Sequence, residues 1–156
     1  MAICRIMIVG GPGSGKTWLA QLLGLRHELP VYAVDDEVWD RNGALRAPKD
    51  IDARVRRLAA QDEWIIEGGN SRTYRDRVQR ANAIIRLAPP IWRRLYRVIR
   101  RDGLRIKLLR WTLRYDRVFG VKDILVLQNG RATATCIEIR SSKDMQRLLR
   151  VGIECF

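Results

Sequence analysis

Acidic residues and cysteine are scarce in this chain of 156 residues, and histidine occurs once. The three cysteines, Cys4, Cys136 and Cys155, form no close pair and no C-x-x-C spacing, which argues against a disulfide framework and against zinc. Cys4 and Cys136 fall in strand-like runs and are expected to be small core residues. His27 stands alone near an expected helix end, so a metal site built on histidine is excluded. No apolar run approaches the roughly 20 residues that a membrane span needs. The apolar start feeds a Gly-rich loop rather than a small-residue cleavage site, so no signal peptide is expected and the cytoplasm is the expected location. Repeats, low-complexity tracts and Pro/Gly-rich linkers are also missing. Residues 1–156 are therefore expected to form a single domain, long enough to bury a core.

Basic residues are plentiful. Thirty Lys and Arg against seventeen Asp and Glu leave a net charge of +13. Such a field attracts polyanions: nucleotides, nucleic acid or an acidic membrane surface. Charge of this kind carries no specificity, since much basic binding to nucleic acid is loose.

The strongest local signal is GGPGSGKT, residues Gly10, Gly11, Pro12, Gly13, Ser14, Gly15, Lys16 and Thr17. It meets every fixed position of the phosphate-loop pattern G-x-x-x-x-G-K-[ST], behind the apolar run AICRIMIV and before the helix-like TWLAQLLGLRH. Glycines let the backbone curl until successive N–H groups point at phosphate oxygens. Lys16 adds a mobile positive charge, and the Thr17 hydroxyl can complete a Mg²⁺ shell. A nucleoside triphosphate is the expected ligand, with ATP and Mg²⁺ as the cofactors.

Strand-like and helix-like segments alternate along the chain. Strands are expected at Ala2–Val9, Val31–Val34, Glu63–Gly69 and Ala81–Ala88, and a fifth at either Ile124–Leu127 or Thr135–Arg140. Between them lie a helix from about Gly15 to His27 and another capped by Asp50 carrying Ile51, Val55, Leu58 and Ala59. A short basic helix behind Ser71 follows, then two more with stripes at Trp92, Leu95, Tyr96, Ile99 and at Leu104, Leu108, Trp111, Tyr115. Asp102-Gly103 breaks that pair. Ser141 with Asp144 offers a capping box for a last helix. The pattern predicts an α/β fold with a five-stranded parallel sheet covered by helices on both faces, in three α/β/α layers, with the phosphate loop at the carboxyl end of the central strand.

A phosphate loop needs an acidic partner for the metal. Glu67 closes the apolar run Trp64-Ile65-Ile66 and is the candidate, with Thr17, for that role. Asp35 and Asp36 follow the second strand, whose end opens on the same crevice. Asp35 is the better placed to orient an acceptor hydroxyl or take its proton. Arg97 and Arg101 lie one helical turn apart and can face a phosphate chain together, stabilising charge that gathers on its oxygens. Trp64, Trp92 and Trp111 are expected in the core, whereas Trp39 is a candidate for lining an acceptor pocket.

The segments GGPGSGKT, VDDEVW (34–39), WIIEGGNSRT (64–73) and LYRVIRR (95–101) together resemble the DNA topology modulation proteins. These are small P-loop proteins similar to adenylate kinase and other nucleoside-monophosphate-type kinases, and the resemblance runs from Ile3 to about Leu149. It implies a nucleoside-monophosphate-kinase-like P-loop NTPase fold in which Gly10 to Thr17 hold the ATP phosphates and Asp35 and Trp39 supply an Asp-x-x-x-Trp pattern. Glu67 takes the place of an acidic residue that is usually Asp. Arg97 and Arg101 become lid arginines within a short arginine-rich segment at about 91–120, and Arg140, Ser141 and Ser142 pass near the base. The chain departs from the family in placing Asn70 one residue later after the third strand. The implied activity is phosphoryl transfer from ATP to a nucleotide-like or other small hydroxyl or phosphate acceptor. The basic surface keeps open a nucleic-acid-associated ATP-binding protein, or a kinase of nucleic-acid ends. No membrane partner is expected, and the oligomeric state stays open.

Overall fold

Five apolar runs line up as one parallel sheet in the order β2–β3–β1–β4–β5. The strands are β1 (Arg5–Gly10), β2 (Val31–Ala33), β3 (Trp64–Glu67), β4 (Ala83–Leu87) and β5 (Thr135–Ile139). They belong to a computed structural model that describes residues 3–153. Cys155 lies outside the described residues. Among the described residues seven α-helices accompany the sheet: α1 (Lys16–His27), α2 (Pro48–Ala59), α3 (Tyr74–Arg80), α4 (Ile91–Asp102), α5 (Ile106–Tyr115), α6 (Val121–Gly130) and α7 (Ser142–Val151).

The period of two along β1 divides the core. Ile6 and Ile8 face one side, where they meet Leu19, Ala20 and Leu23 of α1 and Leu148 of α7. Met7 and Val9 face the other, against Ile51 and Val55 of α2, Val78 of α3 and Val126 of α6. Helices thus cover both faces, and the strands can be apolar throughout, as a buried parallel sheet requires. The same alternation sets Ile65 on the α1 side and Ile66 on the opposite one. Glu67, one step further, returns to the α1 side.

Several expectations are corrected. The fifth strand is Thr135–Ile139, paired with β4 from Ala83↔Thr135 to Leu87↔Ile139. The run Ile124–Leu127 is instead helical, within α6, with Val126 and Leu127 buried and Ile124 and Leu125 exposed. Asp50 does not cap α2. Pro48 opens that helix behind Ala47, since its missing N–H costs nothing there, and Asp50 sits in the first turn. Ser71 begins a 3₁₀ turn (Ser71–Thr73) that leads into α3. Trp64 is fully buried, but Trp92 is 62% exposed and Trp111 is exposed at its edge, resting against Tyr115 and Phe119. Cys4 and Cys136 are only half-buried, packed against the margins of the two core clusters.

Between α5 and α6 the chain makes a π-helical segment, Asp116–Gly120. Gly103, at φ 71°, ends α4 and starts the turn into α5. The capping box forms as the sequence predicts: Ser141 Oγ accepts from the Asp144 amide while Asp144 accepts from the Ser141 amide at 2.7 Å. No helix of the described residues is long and apolar enough to cross a membrane.

Candidate functional site

All five strands run in one direction, so the ends of β1, β2, β3 and β4 open together onto one edge of the sheet. The loop from Gly10 to Gly15 leaves β1 there and enters α1. Gly13 takes φ 71°, and a Cβ on it would strike the Arg94 carbonyl. Gly15 caps α1 in the left-handed region at φ 99°. That cap supplies no side-chain acceptor, and the first turn of α1 contains no acidic residue. The helix N-terminus is therefore left to an external anion, which its dipole and N–H groups favour.

Behind this opening, α1 and β3 meet through side chains. The Thr17 hydroxyl donates to Glu67 Oε1 at 2.7 Å, and Glu67 is buried. Lys16 Nζ donates to the Gly11 carbonyl at 3.3 Å. Burial holds the Lys16 ammonium below its ordinary range, while the nearby carboxylates Glu67, Asp35 and Asp123 pull the other way. Asp35 is the second residue of the 3₁₀ turn Val34–Glu37 after β2 and is exposed. Its negative charge favours the charged forms of Lys16 and Arg101.

Helix α4 closes the loop from outside. Arg97 Nη1 donates to the carbonyls of Gly13 at 3.3 Å and Ser14 at 3.1 Å. Arg101 is turned to its neighbour Asp102, with Nε to Oδ2 at 2.8 Å, and that hydrogen bond raises the guanidinium above its usual range. Arg97 thus reaches the loop and Arg101 does not. A cleft of about 510 Å³ opens beside Ser14 and Gly15, between Trp18, Arg93, Arg97 and the start of α7 at Arg140, Ser141 and Ser142. Arg140 and Ser141 thus line one cleft with Ser14 and Gly15 of the phosphate loop. Trp39 stays exposed, bridged by backbone to Leu45, and does not line this cleft.

Three buried charged groups escape sequence reasoning. Arg94, 2% exposed, donates from Nε to the Pro12 carbonyl at 3.1 Å, from Nη1 to Asp116 at 2.7 Å and from Nη2 to the Thr112 carbonyl at 3.2 Å. Its guanidinium lies under Gly11, where a Cβ would meet both it and the Tyr115 ring. Asp123, 1% exposed, accepts from the Tyr74 hydroxyl at 2.8 Å and the Tyr115 hydroxyl at 2.9 Å. Burial pushes its carboxyl up, against the two hydroxyls that hold the charged form. Arg77, also buried, donates to the carbonyls of Gly68, Gly69 and Asn70, fixing the turn behind Glu67. Burial draws its guanidinium down to about 10. The sequence shows Arg77 and Arg94 only as members of basic helices. A charge every third or fourth residue gave no sign of which would turn inward.

The donor set is made of hard oxygens, the Thr17 hydroxyl and the Glu67 carboxylate, beside a lysine and an uncapped helix start. It suits a polyphosphate chain accompanied by Mg²⁺, which takes one or two protein oxygens and completes its shell with phosphate and water.

No family model matches the chain, and no curated protein matches it. Solved structures do. Shikimate kinase from Acinetobacter baumannii in complex with shikimate is 17% identical, with 96% of this chain and 93% of that chain covered and a TM-score of 0.65. Shikimate kinase from Bacteroides thetaiotaomicron is also 17% identical, over 96% and 98% of the two chains, with a TM-score of 0.64. Shikimate kinase from Aquifex aeolicus is 16% identical over 93% and 94%, with a TM-score of 0.54. At these identities the likeness is one of fold: the chain has the three-layer α/β/α architecture of small P-loop kinases of the nucleoside-monophosphate-kinase type.

Proposed function

We propose that this chain is an ATP-dependent kinase that moves the γ-phosphoryl group to a hydroxyl or phosphate of a small acceptor. The observation that carries this reading is the Thr17–Glu67 hydrogen bond beneath an uncapped α1 N-terminus, with Lys16 alongside. Gly10 to Gly15 cradle the phosphates with backbone N–H groups, and Lys16 neutralises the β/γ oxygens. Thr17 and Glu67 hold Mg²⁺, which when bound offsets charge on the β- and γ-phosphates. Asp35 orients the acceptor at the end of β2 and receives its proton. Arg97 stands over the loop, and Arg101 reaches the reacting phosphate once it leaves Asp102. The base lies in the cleft between Trp18, Arg93 and the turn Arg140–Ser142. Residues 91–120 form the covering segment of a single kinase domain.

The acceptor class is set by experiment. Purified protein with ATP and Mg²⁺ is screened for ATP consumption against nucleosides, nucleoside monophosphates, small sugars, shikimate and oligonucleotide 5′ ends. Shikimate belongs there because the solved neighbours carry that name. The oligonucleotide arm covers the resemblance to the DNA topology modulation proteins. One acceptor is expected to raise ATP turnover, and Lys16→Ala is expected to abolish it with an unchanged circular dichroism spectrum. Turnover in Lys16→Ala equal to that of the parent overturns the mechanism.

A further inference from the structure

Twelve of the seventeen large apolar side chains exposed among the described residues lie between residues 91 and 125, and nine of those twelve are aliphatic. On α4 they make a stripe of Trp92, Tyr96 and Ile99, spaced i, i+4, i+7, with Trp92 and Tyr96 mostly exposed and Ile99 partly so. The buried face of that helix belongs to Arg94 and Val98. Past the turn at Gly103, Leu104 is 77% and Ile106 65% exposed, and Leu113 continues along α5. The same stretch concentrates charge. Residues 91–117 contain ten Lys or Arg and two Asp, which is +8 of the total +13; the other 129 residues share +5.

We propose that the α4–α5 hairpin is a docking surface for an anionic lipid bilayer, with Leu104 and Ile106 at its tip entering the headgroup region. Helices with Arg and Lys on one face and Trp, Leu or Ile on another settle at such interfaces, and each basic residue near the surface adds electrostatic attraction. Charge complementarity selects the partner. A second copy of the chain brings the same +8 and is repelled. Nucleic acid satisfies the charge but offers no hydrocarbon to exposed Leu and Ile. A bilayer meets both requirements. Phosphoryl transfer plays no part in this inference, which stands or falls separately from the kinase reading.

Co-sedimentation tests it, using vesicles of phosphatidylcholine alone and vesicles in which roughly one third of the lipid is phosphatidylglycerol. The parent protein is expected on the anionic vesicles and not on the neutral ones. Leu104→Glu with Ile106→Glu is expected to weaken that binding at least about tenfold, with an unchanged urea midpoint. Leu25→Glu, an equally exposed leucine on α1, is expected to leave it within about twofold. Equal binding of the tip variant and the parent overturns the proposal, as does absence from anionic vesicles at low salt. A single-stranded oligonucleotide that strips the protein from vesicles and binds both proteins alike assigns the surface to nucleic acid instead. Concentration-dependent dimers in place of vesicle binding assign it to a second copy.

Discussion

The Thr17 hydroxyl stands 2.7 Å from Glu67 Oε1, joining the first turn of α1 to the last residue of β3. The contact exists because alternation along β3 returns Glu67 to the α1 face. Glu67→Gln keeps the shape and an acceptor oxygen for Thr17 while removing the charge. Mg²⁺-dependent turnover should fall about 100-fold, the scale of losing one preorganised electrostatic group. Nucleotide affinity measured without Mg²⁺ should be equal or tighter, since a negative charge near the phosphates has gone. Turnover within twofold of the parent, on the acceptor found by the screen, counts against a metal-supporting role.

Arg94 ties three segments that are far apart in sequence, through Pro12, Thr112 and Asp116. Arg94→Met strips donors from two carbonyls and a carboxylate at once. A loss of about 3 kcal/mol in urea unfolding is expected, because the Pro12 and Thr112 carbonyls lose their donor while Asp116, half-exposed, turns to water. Arg94→Lys should not restore the parent midpoint, because a single ammonium cannot span the fork that the guanidinium fills. Full rescue by lysine shows that only the charge matters at this position.

A pH effect is expected at the start of α7. The Asp144 carboxylate accepts from the Arg140 and Ser141 amides, and these hydrogen bonds hold it below the usual carboxylate range. A depressed folded value means stability that is present above the unfolded value of 3.8 and lost as pH falls through the folded one. Asp144→Asn should therefore lower the urea midpoint at pH 6, and the gap to the parent should narrow as the pH falls below 3.8. A gap of constant size across that range rules out the carboxylate charge as its source.

The phosphate loop and four of the five strands were legible because each is specified locally. GGPGSGKT needs only its own glycines and its neighbours. RIMIV, WII and AII are apolar on both faces, as interior strands must be. The fifth strand was ambiguous for a physical reason. Ile124–Leu127 and Thr135–Ile139 are both short apolar runs, and a run of four residues has no period by which to choose. In the fold Val126 and Leu127 turn inward and Ile124 and Leu125 outward, a helical division. Arg94 and Asp123 were beyond reach, because burial of a charge depends on partners elsewhere. Tyr74 meets Asp123 across 49 positions and Arg94 meets Pro12 across 82. Trp92 failed in the opposite sense, since the stripe it belongs to is amphipathic but faces outward.

Three consecutive carbonyls of the phosphate loop, those of Pro12, Gly13 and Ser14, are gripped by Arg94 and Arg97 from α4. A glycine-rich loop left free would have to be frozen by its ligand, and that lost entropy would weaken binding. Here folding has already done the freezing. The mobility that glycine confers is confined to the unfolded chain, and an arriving phosphate meets a cradle already set in shape.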